Sequence, residues 1–415
     1  MPKTAKRILT MGLGVVLTIT MVINLTSFGL KVKATDLMEG IKSGNVTGKS
    51  IDERFIGTTA DFSIELFKKS VGEKNTLVSP LSVMLALAMT ANGADKATLA
   101  QMEKVLGNGM SIDELNEYLY SYAKSLPNKK KSKFNISNSI WFREGFHVEE
   151  DFLQKNANYY KAAAYRSAFD DQTMKDINNW VKDKTDGMID EILKKISPEA
   201  VMYLINAIVF DAEWMEVYES IDISEGSFKN LDGTNKKVEM MSSTESGYIK
   251  EDNALGFIKP YKNGDYSFVA LLPDEDVDFH DYISTLTGET FINIIESAQK
   301  KLVRATLPKF SYEYEIQMND ILRDMGMVDA FDEGKADLSR ISGSKSNLVI
   351  SEVLHKTFIS VDEKGTKAGA VTKVEVSVTS APQVEYVTLD RPFIYAIVDN
   401  STNLPIFLGA VTNLG

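Results

Sequence analysis

The chain has 415 residues, contains no cysteine, and carries 46 basic against 58 acidic side chains, a net charge of −12. Such a length supports a large buried core, and the lack of cysteine excludes disulfides, a lipoprotein signal and thiolate metal sites. The acidic balance disfavours nucleic acids and anionic membranes as partners. The lysines at residues 129–131 and at Lys133 are a local exception, which we interpret as a solvated loop.

The first 34 residues have the features of an export signal. Lys3, Lys6 and Arg7 precede an uncharged apolar stretch at residues 8–30, and small residues stand at the positions expected for cleavage. We therefore predict a signal peptide, residues 1–34, cleaved after Ala34, and a secreted, extracellular protein that then has no membrane contact. The apolar stretch is long enough to span a bilayer, so an uncleaved membrane anchor is the alternative.

The next residues, 35–56, are polar and rich in Gly, Ser and Lys, which predicts a mobile N-terminal arm or linker. Ordered structure is expected to begin near Thr58, with residues 57–415 as one domain. Ser79 and Pro80 predict a helix start, with Ser79 as N-cap. Apolar residues follow at i, i+3, i+4 and i+7, and the helix is apolar on nearly every side. We expect it to lie deep in the core.

Further along, the periodicity predicts a second helix and two buried strands. Met174, Ile177 and Val181 have helical spacing, and Gly187 is expected to end that helix. Residues 201–210 form a nearly continuous apolar run, typical of a strand buried on both faces. Residues 266–272 predict another strand. Because we find no repeat and no second composition regime, the sequence predicts one large α+β domain.

Near the C-terminus, the residues from Thr366 to Val378 alternate in polarity. One set of alternate positions is small or apolar and the other carries lysine and glutamate, which is the pattern of a strand with one buried face. Gly365 and Gly369 weaken the segment as a permanent strand. The sequence therefore predicts a strand that is able to form but need not always be formed. An ordinary paired strand is the alternative.

Several blocks of the chain, in order, resemble the serpin family over residues 61–415. They are NTLVSPLSVMLALAMTANGA, INNWVKDKTDGMIDEIL, VMYLINAIVFDAEW, VRATLPKFSYEYEIQMNDILRDMGMVDAFDEGKADLS, VLHKTFISVDEKGTKAGA and DRPFIYAIVDNSTNLPIFLGAV. The resemblance implies the serpin fold, an α+β architecture with a large central mixed β-sheet, surrounding helices and further sheets. It also implies an exposed reactive-centre loop at about residues 363–391.

The resemblance further implies a monomeric inhibitor that serine proteases attack as a suicide substrate. The protease would cleave the loop, and the freed loop end would insert into the main sheet before the acyl-enzyme is hydrolysed. This mechanism requires a metastable native fold. The residues that match the family's hinge are Glu363, Gly365, Thr366, Ala368, Gly369 and Ala370. Lys367 departs from the glutamate that the family usually has there.

A polar cluster beneath the opening sheet is also implied by the resemblance. In the family, the residue that matches His355 hydrogen-bonds to those that match Asn206 and either Ser79 or Ser82. The cluster would gate the sheet, because each buried polar group needs a partner in both states. Trp214 matches a family residue near the top of that sheet, and simple core packing is its alternative interpretation.

The cleaved bond is predicted by counting along the loop. The seventeenth residue, with Glu363 counted as the first, is Thr379, which makes Thr379–Ser380 the reactive bond. A count back from Pro392 by the commoner family spacing gives Ala381 instead. We prefer the first count, because the segment before the cut sets how far the loop can travel. Thr379, with valines before it, suits elastase-like or subtilisin-like proteases.

An enzymatic function is not expected. The chain has three histidines, lacks the common catalytic and nucleotide-binding motifs, and shows an S-x-x-K pattern at residues 342–345 without the motifs that accompany it. We predict no catalytic residue, no cofactor and no metal. The alternative to inhibition is a non-inhibitory serpin that acts as a binding or structural protein. The small hinge residues favour inhibition, whereas Lys367 and Val371 fit it less well.

Overall fold

A computed structural model describes residues 32–343, 347–366 and 384–415 of the chain. Within these ranges the α-helices are α1 (Glu53–Ser70), α2 (Pro80–Ala91), α3 (Lys96–Gly107), α4 (Ile112–Ser125), α5 (Glu150–Tyr160), α6 (Asp171–Lys184), α7 (Phe279–Thr285), α8 (Gly288–Glu296), α9 (Asn319–Asp324) and α10 (Ser339–Ser342). The strands are β1 (Thr35–Asp36), β2 (Thr76–Val78), β3 (Ser132–Arg143), β4 (Ala163–Ser167), β5 (Met202–Glu213), β6 (Ile223–Lys229), β7 (Asn235–Glu245), β8 (Gly247–Lys250), β9 (Ala254–Pro260), β10 (Tyr266–Pro273), β11 (Val303–Pro308), β12 (Phe310–Gln317), β13 (Glu352–Val361), β14 (Gly365–Thr366), β15 (Glu385–Thr388), β16 (Phe393–Asp399) and β17 (Pro405–Val411).

The described strands form three sheets. The large sheet has seven strands in the order β1-β4-β3-β5-β14-β13-β12, and the other two have the orders β2-β17-β16-β10-β9-β8 and β15-β11-β7-β6. The large sheet is mixed, because β3 with β4 and β5 with β13 are parallel pairs whereas its other pairs are antiparallel. This architecture confirms the predicted α+β class and the predicted large, mixed central sheet.

The central strand β5 is covered on both faces, as its continuous apolar run predicts. On one face, Tyr203 and Ile205 pack with Trp180 of α6 in a compact second core. On the other face, Leu204 and Ile208 belong to the main core, which also contains the buried helix α2. The alternation of side chains along a strand sends successive residues to these two cores.

Helix α2 begins at Pro80 and all of its residues are buried, as predicted. Ser79 has the extended backbone of an N-cap residue, but its side chain does not cap the helix. Its hydroxyl instead donates to the carbonyl of Ile406 across 2.9 Å.

The predicted helix at Met174 is α6, and the predicted strand at residues 266–272 is β10.

Ordered structure begins earlier than the predicted start near Thr58, because β1 and the first turn of α1 lie within the predicted arm, residues 35–56. Strand β1 pairs with β4, and helix α1 begins at Glu53 because the Asp52 carboxylate accepts a hydrogen bond from the Phe55 N–H at 2.9 Å. A polar segment stays in place here because isolated apolar side chains within it reach the core. These partly buried residues are Leu37, Met38, Ile41 and Ile51.

None of the helices in the described ranges is long and apolar enough to cross a membrane. Residues 1–31, most of the predicted signal peptide, lie outside these ranges. At its end, the backbone N–H groups of Lys33 and Ala34 both donate to the Asp176 carboxylate at 2.8 Å. Cleavage after Ala34 therefore stays a prediction.

Candidate functional site

The candidate site is the position in the large sheet where β5 and β13 separate. The two strands pair directly over four residue pairs, from Tyr203 with Glu352 to Asn206 with His355. The next pairings are made by β14, in which Thr366 meets Ala212 of β5 on one edge and Val361 of β13 on the other. Strand β14 therefore lies between β5 and β13 at one end of the sheet, which we call the top. At the other end, the base, β5 and β13 pair with each other directly, so the position for a strand between them is closed there.

A group of buried polar side chains lies where the direct pairing ends. His355 is fully buried, and its Nδ1 lies 3.0 Å from the Asn206 Oδ1, while its Nε2 accepts from the Ser79 N–H at 3.1 Å. The Asn206 amide donates to the Ser82 carbonyl at 2.9 Å, to the Ser82 hydroxyl and to the Asn138 Oδ1. We call Ser79, Ser82, Asn138, Asn206 and His355 the polar cluster.

These contacts determine the tautomer of His355. Because Nε2 accepts a backbone hydrogen bond, the ring proton resides on Nδ1 and is donated to Asn206. Burial lowers the pKa of His355 to about 3, so the ring is neutral at neutral pH. The polar cluster is therefore an uncharged network, in which Ser79 takes part through its backbone N–H and Ser82 through both its backbone carbonyl and its hydroxyl.

The hinge is a tight hairpin at residues 361–366, which we call the hinge hairpin. The Asp362 carboxylate accepts from the N–H groups of Lys364 and Gly365 at 2.8 and 3.2 Å, and the Asp362 N–H donates to the Gly365 carbonyl at 3.0 Å. A Cβ added at Gly365 would lie 2.0 Å from the Ala212 carbonyl oxygen. Only glycine fits this close approach of β14 to β5.

Aromatic residues pack against the hinge hairpin and hydrogen-bond to it. Thr366 is 3% exposed, and its hydroxyl lies 2.6 Å from that of Tyr261. The Tyr261 ring stacks on Trp214 with the centroids 4.5 Å apart. The Trp214 indole donates to the Asp362 carbonyl at 2.9 Å, and its backbone N–H donates to the Lys364 carbonyl at 2.8 Å. Trp214 therefore holds the hairpin as well as packing in the core.

Two ion pairs flank the hinge hairpin. A backbone N–H hydrogen bond and then Lys309, 3.0 Å from the Glu363 carboxylate, lower the pKa of Glu363. Behind them, Lys259 is 1% exposed and pairs with Glu245 at 2.7 Å, with its ammonium 4.4 Å from the Tyr218 ring centre. The Tyr218 N–H donates to the Glu363 carbonyl at 2.9 Å, which connects the surroundings of the Lys259–Glu245 pair with the hinge hairpin.

The structure thus brings most of the predicted residues to two ends of one strand position. Glu363, Gly365 and Thr366 lie at the top, and the four predicted members of the polar cluster lie at the base. The remaining predicted hinge residues, Ala368, Gly369 and Ala370, lie outside the described residues, and so does the predicted reactive bond, Thr379–Ser380. Lys345 of the S-x-x-K pattern lies outside them as well.

Asn138, Tyr261 and Lys309 are contributors that the sequence analysis missed. Asn138 stands directly opposite Asn206 in the β3–β5 register, a pairing between residues 68 positions apart. The available signal for Asn138 was its place among the alternate apolar positions of β3, where it is a polar residue on the same face as Phe134, Ile136 and Ile140. Tyr261 and Lys309 carry no local pattern that connects them with the hinge.

Comparisons with known proteins give the family. The model of the serpin (serine protease inhibitor) family matches residues 57–414. The native structure of tengpin, a thermophilic serpin, is 59% identical, with a TM-score of 0.89 over 92% of this chain and 100% of that chain. Serpin B6 of Macaca fascicularis is 31% identical over 84% of this chain and 96% of that protein. The chain belongs to the serpin family.

A relative with a different function has the same fold. Human thyroxine-binding globulin, solved in complex with thyroxine, is 26% identical, with a TM-score of 0.79 over 87% of this chain and 98% of that chain. Serpins are in general protease inhibitors rather than enzymes, but this structure is of a serpin that carries a small ligand. Within the described residues, no group of three or more His, Asp or Glu is placed to hold a metal ion.

Proposed function

We propose that the chain is an exported, monomeric inhibitor of serine proteases that acts as a suicide substrate. The observation that carries this proposal is the position of the hinge hairpin, at the top of a strand position between β5 and β13. The direct β5–β13 pairing at the base involves only four residue pairs. A strand that extends downward from Thr366 would replace those pairs with its own hydrogen bonds to both neighbours.

The chemistry begins with an attack by the protease serine on the carbonyl carbon of Thr379. The bond to the Ser380 nitrogen breaks, the new amine takes the proton that the protease histidine removed from the serine, and an ester joins Thr379 to the protease. Water would normally hydrolyse this ester. Insertion of the loop moves the attached protease away from its docking position and distorts it before hydrolysis occurs.

Residues on the inserting face must be small or able to be buried. Thr366 satisfies this requirement, because its side chain is buried and its hydroxyl has a buried partner in Tyr261. The same alternation assigns Ala368 and Ala370 to this face. At the cut itself, Thr379 preceded by Val378 suits the shallow apolar pockets of elastase-like or subtilisin-like proteases.

Insertion also requires that β5 and β13 separate at their base. The polar cluster is suited to this step, because it joins β5, β13, β3 and α2 through exchangeable hydrogen bonds. His355 and Asn206 form the last direct pair of the two strands. We propose that the polar cluster keeps the base closed until the entering strand offers new partners to these groups.

A denaturing gel tests the inhibitory function. The purified chain without residues 1–34 is incubated with pancreatic elastase or subtilisin, and a complex that resists SDS and heat is expected. The matched control is subtilisin with its catalytic serine replaced by alanine, which should give no such complex. Cleavage without any stable complex would instead favour a non-inhibitory serpin, such as a carrier of the thyroxine-binding globulin type.

A further inference from the structure

A buried cation lies behind the hinge hairpin and has no part in the steps proposed above. The Lys259 ammonium, on β9, pairs with the Glu245 carboxylate at 2.7 Å, and the two side chains are only 1% and 10% exposed. Both groups lose hydration on burial, and apolar side chains of similar volume often stabilise a fold at least as well as such a pair. Stability alone therefore does not explain why these charges are buried here.

The Lys259 ammonium lies between the two residues that hold the hinge hairpin. It is 5.3 Å from the Trp214 ring centre and 4.4 Å from the Tyr218 ring centre. It also donates to the carbonyl of Glu216, which stands between them in the chain, at 3.2 Å. Trp214 and Tyr218 in turn donate three hydrogen bonds to the backbone carbonyls of residues 362–364. One cation thus contacts both residues from which these three bonds come.

Glu245 connects the same cation with the strand that follows the loop. It is the last residue of β7 and stands in register with Val303 of β11, which stands in register with Glu385 of β15. The Ser243 hydroxyl donates to the Glu245 carboxylate at 2.6 Å and lies 3.3 Å from the Tyr218 hydroxyl. The ion pair therefore joins the hinge hairpin, before the loop, to the sheet that holds β15, after it.

We propose that Lys259 is a positioning residue for the trapping of the protease, and that its pair with Glu245 fixes the hinge hairpin relative to β15 before the loop is cut. This inference rests on the proposed inhibitory function. Insertion competes with hydrolysis of the ester, so the yield of complex depends on how quickly the strand that begins at Thr366 enters the sheet. A hinge hairpin that moves freely would delay entry without changing the bond that the protease attacks.

The test measures two quantities with subtilisin: the rate at which the loop is attacked, and the ratio of complex to cleaved product on a denaturing gel. The double variant Lys259→Met, Glu245→Gln removes both charges, because loss of one partner alone would leave the other buried and unpaired. We expect a rate of attack within about twofold of that of the unchanged chain and a ratio that is about tenfold lower.

Hydrogen exchange reports the position of the hinge hairpin directly. The N–H groups of Lys364 and Gly365 are bonded to the Asp362 carboxylate, and their exchange should be about tenfold faster in the double variant. Exchange in α8, which packs against α1, should stay as it is in the unchanged chain. This measurement needs no protease. If the unchanged chain gives no complex, the proposed inhibitory function fails, and exchange still decides whether the ion pair holds the hairpin.

Two further variants separate positioning from stability. Ser243→Ala keeps both charges but removes the hydroxyl between Glu245 and Tyr218, and should lower the ratio about threefold in a protein that folds normally. Ile294→Val removes a buried methylene from α8 and should reduce stability without changing the ratio or the exchange of the hinge hairpin.

Three results would overturn the proposal. The first is an unchanged ratio in the double variant and the second is unchanged exchange at Lys364 and Gly365. The third is an equal fall of the ratio in Ile294→Val, because the loss of trapping would then follow from lower stability alone.

Discussion

The indole N–H of Trp214 donates to the backbone carbonyl of Asp362 across 2.9 Å, and thereby joins the end of β5 to the turn of the hinge hairpin. The Trp214 backbone N–H makes a second bond, to the Lys364 carbonyl at 2.8 Å. These two bonds fix the direction in which the chain leaves β13. Because Thr366 then points into a buried position beside Tyr261, the structure defines which face of the loop would enter the sheet.

Cleavage of the loop should increase the stability of the protein. A cut between Val374 and Ser380 frees a strand to insert between β5 and β13, where it would pair on both edges. We expect the cleaved protein to melt at a markedly higher temperature than the intact one, measured by circular dichroism. A melting point that is unchanged or lower after clean cleavage would rule out insertion.

Thr366→Arg should give a protein that the protease cleaves but that no longer traps the protease. The side chain at this position is buried, and a charged group there would have no partner on the entering face. Cleavage should occur at the same bond, but the ratio of complex to cleaved product should fall at least tenfold. Thr366→Ser keeps the hydroxyl that contacts Tyr261 and is the matched control. An unchanged ratio in the arginine variant would show that the assigned face is wrong.

Gly365→Ala should destabilise the hinge hairpin. The added methyl would lie 2.0 Å from the Ala212 carbonyl oxygen and 2.9 Å from the Glu213 Cα, so the backbone must shift. A loss of about 1 to 3 kcal/mol in the free energy of unfolding is expected from urea titration. Gly72→Ala is the control, since a Cβ there has no neighbour within 4 Å. Equal stability of the two variants would contradict this packing.

Acid should destabilise the fold through His355. Burial lowers its pKa to about 3 in the folded protein, whereas the unfolded value is about 6.5. Below about pH 6.5 the unfolded chain binds a proton that the folded protein does not, so its contribution to stability falls by about 1.4 kcal/mol per pH unit down to about pH 3.

The His355→Gln variant isolates this effect. Its free energy of unfolding should lack that part of the pH dependence between about pH 6 and pH 4, measured by urea titration at each pH. The control is His147→Gln, because the His147 side chain is 74% exposed. If the slopes of the unchanged protein and the His355 variant coincide, the ring is not held neutral by burial.

The reactive bond is tested by moving an arginine along the loop. Thr379→Arg should give a stable complex with trypsin, whose primary pocket carries a carboxylate, and should weaken inhibition of elastase. Ala381→Arg should also be cut by trypsin, but the longer inserting segment leaves slack and more protease should escape. Mass spectrometry of the released C-terminal peptide gives the cut. Efficient trapping by the Ala381 variant together with poor trapping by the Thr379 variant would overturn the assignment.

The parts of the fold that the sequence predicted are those with strong local patterns. The apolar run of β5 and the all-round apolar helix α2 follow from burial on every side, which leaves little choice of residue. The helix at Met174 follows from its spacing. The ordered structure before Thr58 was not predictable from composition. The start of α1 depends on one N-cap residue, Asp52, and the segment before it is held by single apolar residues that pack against the core.

The site was predictable only in part for a similar reason. The resemblance to serpins located His355 and Asn206, but the participation of Asn138 depends on the register of β3 against β5. Because this register joins residues far apart in sequence, no local pattern shows that Asn138 faces Asn206. The use of the Ser79 backbone, rather than its hydroxyl, likewise follows from the hydroxyl's contact with Ile406.

Asn138 belongs both to the polar cluster and to the wall of a cavity of about 550 Å³ that Ile136 and residues of α4, α5 and α6 also line. Substitutions in the two regions should therefore not combine additively. A double-mutant cycle that pairs Ile136 with Ser82 should show a coupling energy of about 0.5 kcal/mol or more, because Asn138 relays a shift of β3 to Asn206. Such coupling would make the polar cluster respond to the packing of β3 as well as to its own hydrogen bonds.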